Sequence, residues 1–450
     1  MPETTILFIA MEFIPLNLGG VFRPLRFANG LNRNGIKPVI LTFSDNEHLR
    51  KVHTRFDYAL LDKLDSDIPV YRIPLDDLSA YYDTRWKAFR NIYFNTSDNF
   101  LKAWEKNVYK ELPAIIEKHK PKGIFVTCPP FSAARLGARI SREFGLPLIL
   151  DMRDAWSQIW SPSGTYLHYL RKERAERDAL SQASAVITVT PRLKAMFEET
   201  HPNLPLEKFN LIYNGYDFDL PASLPVNFDG IGAKGTINIG YVGEFYYAPT
   251  LREQMMLPWW KRGGHRILQY SPVKEDWLYR SPYFFFKALA DLFARRPEWR
   301  SRIFFHHIGA TPEWLLPMAE EMGLKDNVVP HGFQVLEKTL ELQKSFDLLL
   351  ATSEKVIGNE HYCLPSKLFT YLRSGKPVLG FITPGVQHDF ISNSGMGPIC
   401  APDELDKASL IMEKLFEEGY RQQLNIEYLR QFSNTIATGR LIDLTRKTIK

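Results

Sequence analysis

The sequence predicts an α/β protein built from two parallel-sheet domains, on three observations. Its 450 residues are more than one ordinary core accommodates. Residues 4–43 run as an apolar strand, a loop with two glycines, a helix and a second apolar strand, which is a βαβ unit. The stretch CLPSKLFTYLRSGKPVLG, Cys363 to Gly380, is again a loop, a short helix, a glycine stop and a buried strand. Between the two patterns, Leu220 to Gly235 holds two prolines, three glycines and few large apolar residues, so it reads as a linker. The expected boundaries are a first domain over 1–219, a linker over 220–236, a second domain over 237–432 and a final helix over 433–450.

Composition narrows the class. Charged residues at 24% and hydrophobic ones at 45% are the balance of a folded globular protein rather than a disordered one. The 13% of Phe, Tyr and Trp exceeds what a core needs, so some aromatic surface is expected to meet a ligand, a membrane or a partner. A net charge of +5 is mild and does not indicate nucleic acid. Cys128, Cys363 and Cys400 are widely spaced without a CxxC, which indicates neither a disulfide framework nor a zinc site and favours a reducing compartment. The opening MPETTILFIAMEF is acidic and too short in its apolar run for a signal peptide. The expectation is a cytoplasmic protein whose membrane contact, if any, is peripheral.

In chain order, Thr4 to Ala10 is the first strand and the helix runs from about Val21 to Asn34, stopping at Gly35. Gly19 and Gly20 sit at the strand-to-helix turn, where backbone can approach a phosphate closely or simply turn tightly. Arg23 and Arg26 share a flank of that helix. Residues 45–98 are less regular, and 81–94 interleave basic and aromatic residues as a lipid- or glycan-contacting insertion or a half-buried amphipathic helix would. A long helix over about Asn99 to Lys118, with Pro113 in it, leads to a strand at Gly123 to Thr127, the turn CPPFS and a helix to about Phe144. After the strand Leu148 to Asp151 comes DMRDAW. Asp151, Arg153 and Asp154 then lie at the carboxyl end of a parallel strand, where open α/β sheets place ligands. The same three residues could equally satisfy one another as an internal ion network. A helix over Tyr169 to Ser181, strands at Ala185 to Thr190 and Phe209 to Tyr213, and the segment YNGYD complete this half.

The second half starts with the strand Ile237 to Val242 and Gly243. Residues 244–278 form an insertion whose LPWWKRGGHR sets two tryptophans beside cations, a composition that suits a bilayer interface or an acceptor, unless the rings pack inward. Strands are expected at Arg302 to Gly309, Asn327 to Gly332 and Ser345 to Thr352, and helices over Leu405 to Phe432 and Asn434 to Lys450. His306 and His307 are adjacent in a strand, so they face opposite sides and form no metal pair. Glu354 and Glu360 lie in a loop as exposed acids or sugar ligands. Pro365 and Ser366 open the next helix, with the serine as a cap. Its amino end, carrying Ser366 and Lys367, is either an anion site, by virtue of free N–H groups and the helix dipole, or a solvated surface lysine beside a capping serine.

These stretches together resemble one family. PSKLFTYLRSGKPVL, PLNLGGVFRPLRFANGLNRNGIKPVILT, CPPFSA followed by DMRDAW, VITVTPRLKAMF with KFNLIYNGYD, RSP at 280–282 and VVPHGF are similar to motifs of retaining glycosyltransferases of family 4, in a subgroup that assembles bacterial cell-surface polysaccharide or glycolipid. The resemblance covers most of the chain outside the two insertions. It implies the GT-B fold, two facing Rossmann-like domains with the last helix crossing back to the first. It implies transfer of a sugar from a nucleotide-sugar donor to a glycan or lipid-linked acceptor, with no cofactor and no metal. By its motifs, Gly19, Gly20, Gly243, Arg280, Ser366 and Lys367 face the donor diphosphate, His331 and Gly332 lie beside the base, and Asp151, Arg153 and Asp154 line the reacting face.

The pattern also fails in places. Where the family carries two glutamates eight apart, this sequence has Tyr362 and Thr370, so Glu360 is the candidate replacement. Where a family histidine touches the donor sugar, it has Thr127 and Cys128. Two other readings stay open: a sugar-nucleotide 2-epimerase and an inert nucleotide-sugar-binding partner of a glycan-assembly complex.

Overall fold

The computed structural model describes residues 4–79, 84–87, 99–159, 164–220 and 225–449. The basic and aromatic stretch read over 81–94 lies outside these apart from residues 84–87. The chain divides into two compact units, Met1–Asn214 with Gly264–Pro272 and Asn434–Lys450, and Gly215–Gly263 with Val273–Ser433.

In the first unit, β1 (Thr4–Ile9), β2 (Ile36–Phe43), β3 (Val70–Ile73), β4 (Gly123–Cys128), β5 (Leu148–Met152), β6 (Ala185–Thr188) and β7 (Phe209–Leu211) form one parallel sheet in the order β3-β2-β1-β4-β5-β6-β7. The central strands are buried along most of their length, which is why they read as unbroken apolar runs. Helices cover both faces. Gly137 lets the helix Ser132–Phe144 approach β4, since a Cβ there would lie 2.5 Å from a Val126 methyl. The last helix, Asn434–Thr448, packs against Phe22–Asn32 in this unit, as expected. Gly30 leaves room for Thr438, and Gly123 for Ile449.

The second unit contains β8 (Pro225–Phe228), β9 (Ile237–Val242), β10 (Glu275–Asp276), β11 (Ile303–Ile308), β12 (Val328–Gly332), β13 (Leu348–Thr352), β14 (Lys355–Val356), β15 (Val378–Phe381), β16 (Ile399–Cys400) and β17 (Tyr420–Gln423). Its parallel sheet has the order β12-β11-β9-β13-β15-β16. Renumbered from its own first strand this is 3-2-1-4-5-6, the dinucleotide-binding order, which the other sheet also follows over its first six strands. In both, the order reverses between the first and fourth strands, and the crevice at that switch point is where such sheets bind ligands.

Three sequence expectations change. Residues 225–228, inside the expected linker, pair antiparallel with 420–423, inside the expected helix over 405–432, and the helix stops at Glu418. The loop over 353–362 carries β14, which pairs antiparallel with β10 of the insertion. Ser366 stands in helical geometry before the helix Lys367–Ser374 and makes no side-chain cap.

Candidate functional site

The switch point of the second sheet is held by one side chain. The buried Tyr371, on the helix Lys367–Ser374, accepts a hydrogen bond from the Val242 N–H at 3.0 Å and donates to the Leu350 carbonyl at 3.3 Å. It thereby seats the helix over the carboxyl ends of β9 and β13. Gly375, at φ +67, ends the helix in left-handed geometry as its sequence predicts. The amino end of the helix carries Ser366, which is exposed, and Lys367, which is half-buried.

Lys367 Nζ lies 3.8 Å from the centroid of the Tyr241 ring and makes no ion pair among the described residues. Burial, reinforced by the charge of Arg280 and opposed by Glu354, pushes its ammonium well below the ordinary lysine range. A half-buried lysine that lies on an aromatic face and makes no ion pair among the described residues gains most in charge from a bound anion. Tyr241 stacks on Phe245 with centroids 4.2 Å apart, so the platform beneath the lysine is itself packed.

Arg280 is held differently. Its guanidinium sits 5.0 Å from the Tyr246 ring centroid and 5.3 Å from that of Trp277, and Nη1 reaches Glu354 Oε2 at 3.1 Å. The Arg280 carbonyl accepts from Thr352 Oγ1 at 2.8 Å, which ties it to the end of β13. Burial works against its charge, but the Glu354 carboxylate outweighs that and raises its pKa. Glu354 is buried rather than exposed as its loop suggests, and its other oxygen lies 2.7 Å from His361 Nε2. Burial likewise opposes the Glu354 charge, yet His361 and Arg280 hold the carboxyl well below the usual range. Beside it, Glu275 is pushed up to about 7, first by burial and then by the Glu354 charge. Two neighbouring carboxyls are therefore driven apart, Glu354 held ionised and Glu275 retaining its proton to a higher pH.

The glycine ends of β9, β11 and β12 form a second edge of this site. The Gly243 N–H donates to Ile308 O at 2.9 Å, and the Gly309 N–H donates to Gly332 O at 3.0 Å. A Cβ on Gly309 would stand 2.5 Å from the Gly243 carbonyl, so that position requires glycine. His307 Nε2 lies 3.0 Å from the same carbonyl, while His306 Nδ1 lies 3.0 Å from His331 Nε2. The two adjacent histidines point apart, as alternation in a strand demands. His306 is pushed down to about 4, chiefly by burial.

In the first unit Asp151 and Arg153 bond to other groups of the protein. Asp151 is completely buried and receives Arg23 Nη2 at 2.8 Å and Thr127 Oγ1 at 3.0 Å. Arg23 also donates to the Ile212 and Tyr213 carbonyls, so the pair ties the first helix to the ends of β5 and β7. Arg153 donates to the carbonyls of Gly20 at 2.7 Å, Cys128 at 2.9 Å and Pro129 at 2.9 Å. It pins the glycine turn after β1 to the proline turn after β4, at this sheet's switch point. A Cβ on Gly20 would come within 3.0 Å of that guanidinium, whereas Gly19 faces open space. Asp154 is half-buried, and Glu360 is exposed with its amide on the Asn359 side chain.

The second-unit cluster therefore joins Arg280, Lys367 and the Gly243 and Gly332 ends. It adds Tyr241, Glu275, His361 and Tyr371, which the sequence does not single out. His361 and Glu275 carry no local signal, since one lies in a polar loop and the other in the insertion.

No protein-family model matches the sequence, and no curated protein matches it. Solved structures do match its fold. Anabaena HepE, solved in complex with UDP, aligns over 99% of this chain and 100% of its own with a TM-score of 0.58 and 14% identity. The lipopolysaccharide outer core galactosyltransferase WaaB aligns over 98% and 100%, at 0.58 and 13%. Sucrose-phosphate synthase from Thermosynechococcus elongatus aligns over 99% and 98%, at 0.58 and 14%. The fold, with its two Rossmann-like sheets, is that of the GT-B glycosyltransferases.

Proposed function

We propose that this protein is a glycosyltransferase of the family 4 type that moves a sugar from a nucleotide-sugar donor to a glycan or lipid-linked acceptor with retention at the anomeric carbon, in bacterial cell-surface polysaccharide assembly. The observation that carries the reading is Lys367, a cation without an ion-pair partner among the described residues, at the amino end of a helix seated on the switch point of a dinucleotide-type sheet. In this reading Lys367, the first-turn amides after Ser366, and Arg280 hold the donor diphosphate and stabilise its departure. Glu354 and His361 orient Arg280. Gly243, His331 and Gly332 border the nucleoside, Gly19 and Gly20 remain candidates for the donor phosphates, and Arg153 and Asp154 for the reacting face. Asp151 acts through Arg23 and Thr127 rather than on substrate. Glu360, exposed beside the helix, is left as a sugar ligand. No cofactor or metal enters this scheme.

The galactosyltransferase name of one structural neighbour and the UDP in another support a sugar nucleotide as the donor class. Among the described residues no helix is long and apolar enough to cross a membrane. Trp259 and Trp260 are 59% and 65% exposed beside the exposed Lys261 of the insertion, which supports a peripheral membrane or acceptor contact there.

The test is a thermal-shift screen against nucleotides and nucleotide sugars, because a ligand of the folded state raises its apparent stability. Lys367→Ala is the cleaner variant, since it leaves no buried partner uncompensated, and Arg280→Ala accompanies it. Stabilisation by one nucleotide class, lost in both variants, is the expected result. A well-folded protein that responds to none of them would sink the assignment. Turnover of donor alone would mark an epimerase, and binding without turnover on any acceptor would mark an inert donor-binding partner.

A further inference from the structure

Between the helices Ser132–Phe144 and Tyr166–Gln182 of the first unit lies a cavity of about 310 Å³. Its lining includes Arg135, Arg139, Arg142, Arg171, Arg174 and Asp178. The first three arginines stand at i, i+4 and i+7 on one helix, and Arg171, Arg174 and Asp178 stand at i, i+3 and i+7 on the other. Each set therefore forms one stripe, and the stripes face a common groove. Ala138 and Ala179 are small enough for the helices to pack closely beneath them.

The charge balance is unfavourable for a bare surface. Arg139 pairs with Glu105, and Asp178 is the one acid in the lining, whereas Arg142 and Arg174 make no ion pair among the described residues. Like charges three and four apart on a helix destabilise it. The arrangement is favourable once an anion occupies the groove, and the guanidinium fork is the group best matched to phosphate oxygens. The volume suits a diphosphate or a phosphate-bearing headgroup better than a lone small anion.

We propose that this arginine groove is a binding site for a phosphate-bearing anion, either a soluble pyrophosphate group or the phosphate of a lipid headgroup. It does not rest on the donor site, which belongs to the other unit. The test measures the full chain carrying Lys367→Ala, so that the donor site does not contribute. One arm titrates inorganic pyrophosphate by calorimetry. The other sediments the protein with vesicles of phosphatidylcholine alone or mixed with phosphatidylglycerol.

The companion variant Arg142→Glu with Arg174→Glu changes two exposed side chains and is expected to weaken binding by about tenfold or more, the loss of two charge-assisted contacts. Pyrophosphate binding lost in that variant supports a soluble ligand. Binding only to phosphatidylglycerol vesicles, lost in the same variant, supports a headgroup. A control pair with the same charge change, Lys407→Glu with Lys414→Glu, should bind as the parent does. Failure of both probes to bind, an unaffected arginine variant, or an equal loss in the control would overturn the proposal.

Discussion

A carboxylate that solvent does not reach has to be answered from within, and Asp151 is answered by Arg23 and Thr127. Removing one member of such a pair leaves the other charge buried and unpaired, so Asp151→Ala should cost roughly 3–5 kcal/mol of stability in urea denaturation. Lys367→Ala orphans nothing and should leave the urea midpoint near that of the parent while abolishing donor stabilisation. A stable Asp151→Ala protein that binds donor but turns nothing over would instead place Asp151 at the reacting centre. Glu275 supplies a pH test. Its carboxyl rises from the ordinary 4.5 to about 7 in the folded protein, a change worth roughly 3 kcal/mol. Below about pH 4.5 both states hold the proton and this contribution is complete; as pH rises to about 7 the unfolded chain has released it first, so stability falls through that window. Glu354 runs oppositely: its lowered value contributes stability above the ordinary glutamate range, lost as pH falls through the folded value. Between about pH 5 and about pH 8 the parent should therefore lose roughly 3 kcal/mol relative to Glu275→Gln, while His306, pushed down to about 4, changes both proteins alike. Parallel curves would mean that Glu275 is ionised in the fold.

At the scale of elements, the helix Lys367–Ser374 owes its position to one phenol. Tyr371→Phe keeps the ring and removes the hydroxyl, leaving the Val242 N–H at the end of β9 without its acceptor. The expected cost is about 1–3 kcal/mol, together with weaker donor binding in calorimetry, because the helix start is less firmly set over the strands. Donor affinity unchanged in a destabilised variant would separate the helix from the ligand. This helix was legible because Pro365, the Leu368 and Leu372 spacing and Gly375 are local signals. So were the long apolar strands beside it. The elements that were not legible depend on distant partners. Residues 420–423 read as helix formers, but pairing with 225–228 makes them an edge strand, and tertiary pairing outweighs weak local propensity. Glu354 sits in a polar loop and reads as exposed. It is buried because β14, one residue later, pairs with β10 from the insertion and brings Arg280 to it. Asp151 was legible as a functional carboxylate or an ion network, whereas its pairing with Arg23, 128 residues earlier, carries no local signal.

At the scale of the whole molecule, the first unit is completed by the last segment of the chain. Two glycines far apart in sequence accommodate that segment, Gly30 opposite Thr438 and Gly123 opposite Ile449, and Arg446 donates to the Asn34 carbonyl at 3.0 Å. Leu441 is fully buried there, and Ile442 and Ile449 nearly so. Deleting residues 434–450 should expose these contacts and cost on the order of 5 kcal/mol, counting a buried aliphatic side chain at about 1.5–3 kcal/mol. That is comparable with the whole stability of a typical domain. The second unit contributes none of these contacts and keeps its own sheet and the Lys367 helix. Calorimetry of the truncated chain should accordingly show the first unit's transition lowered or lost, with rapid proteolysis inside residues 4–214. Nucleotide binding at the second unit should persist as a separate, ligand-shifted transition. A first-unit transition unmoved by the truncation would mean that this helix packs against Phe22–Asn32 without stabilising the unit.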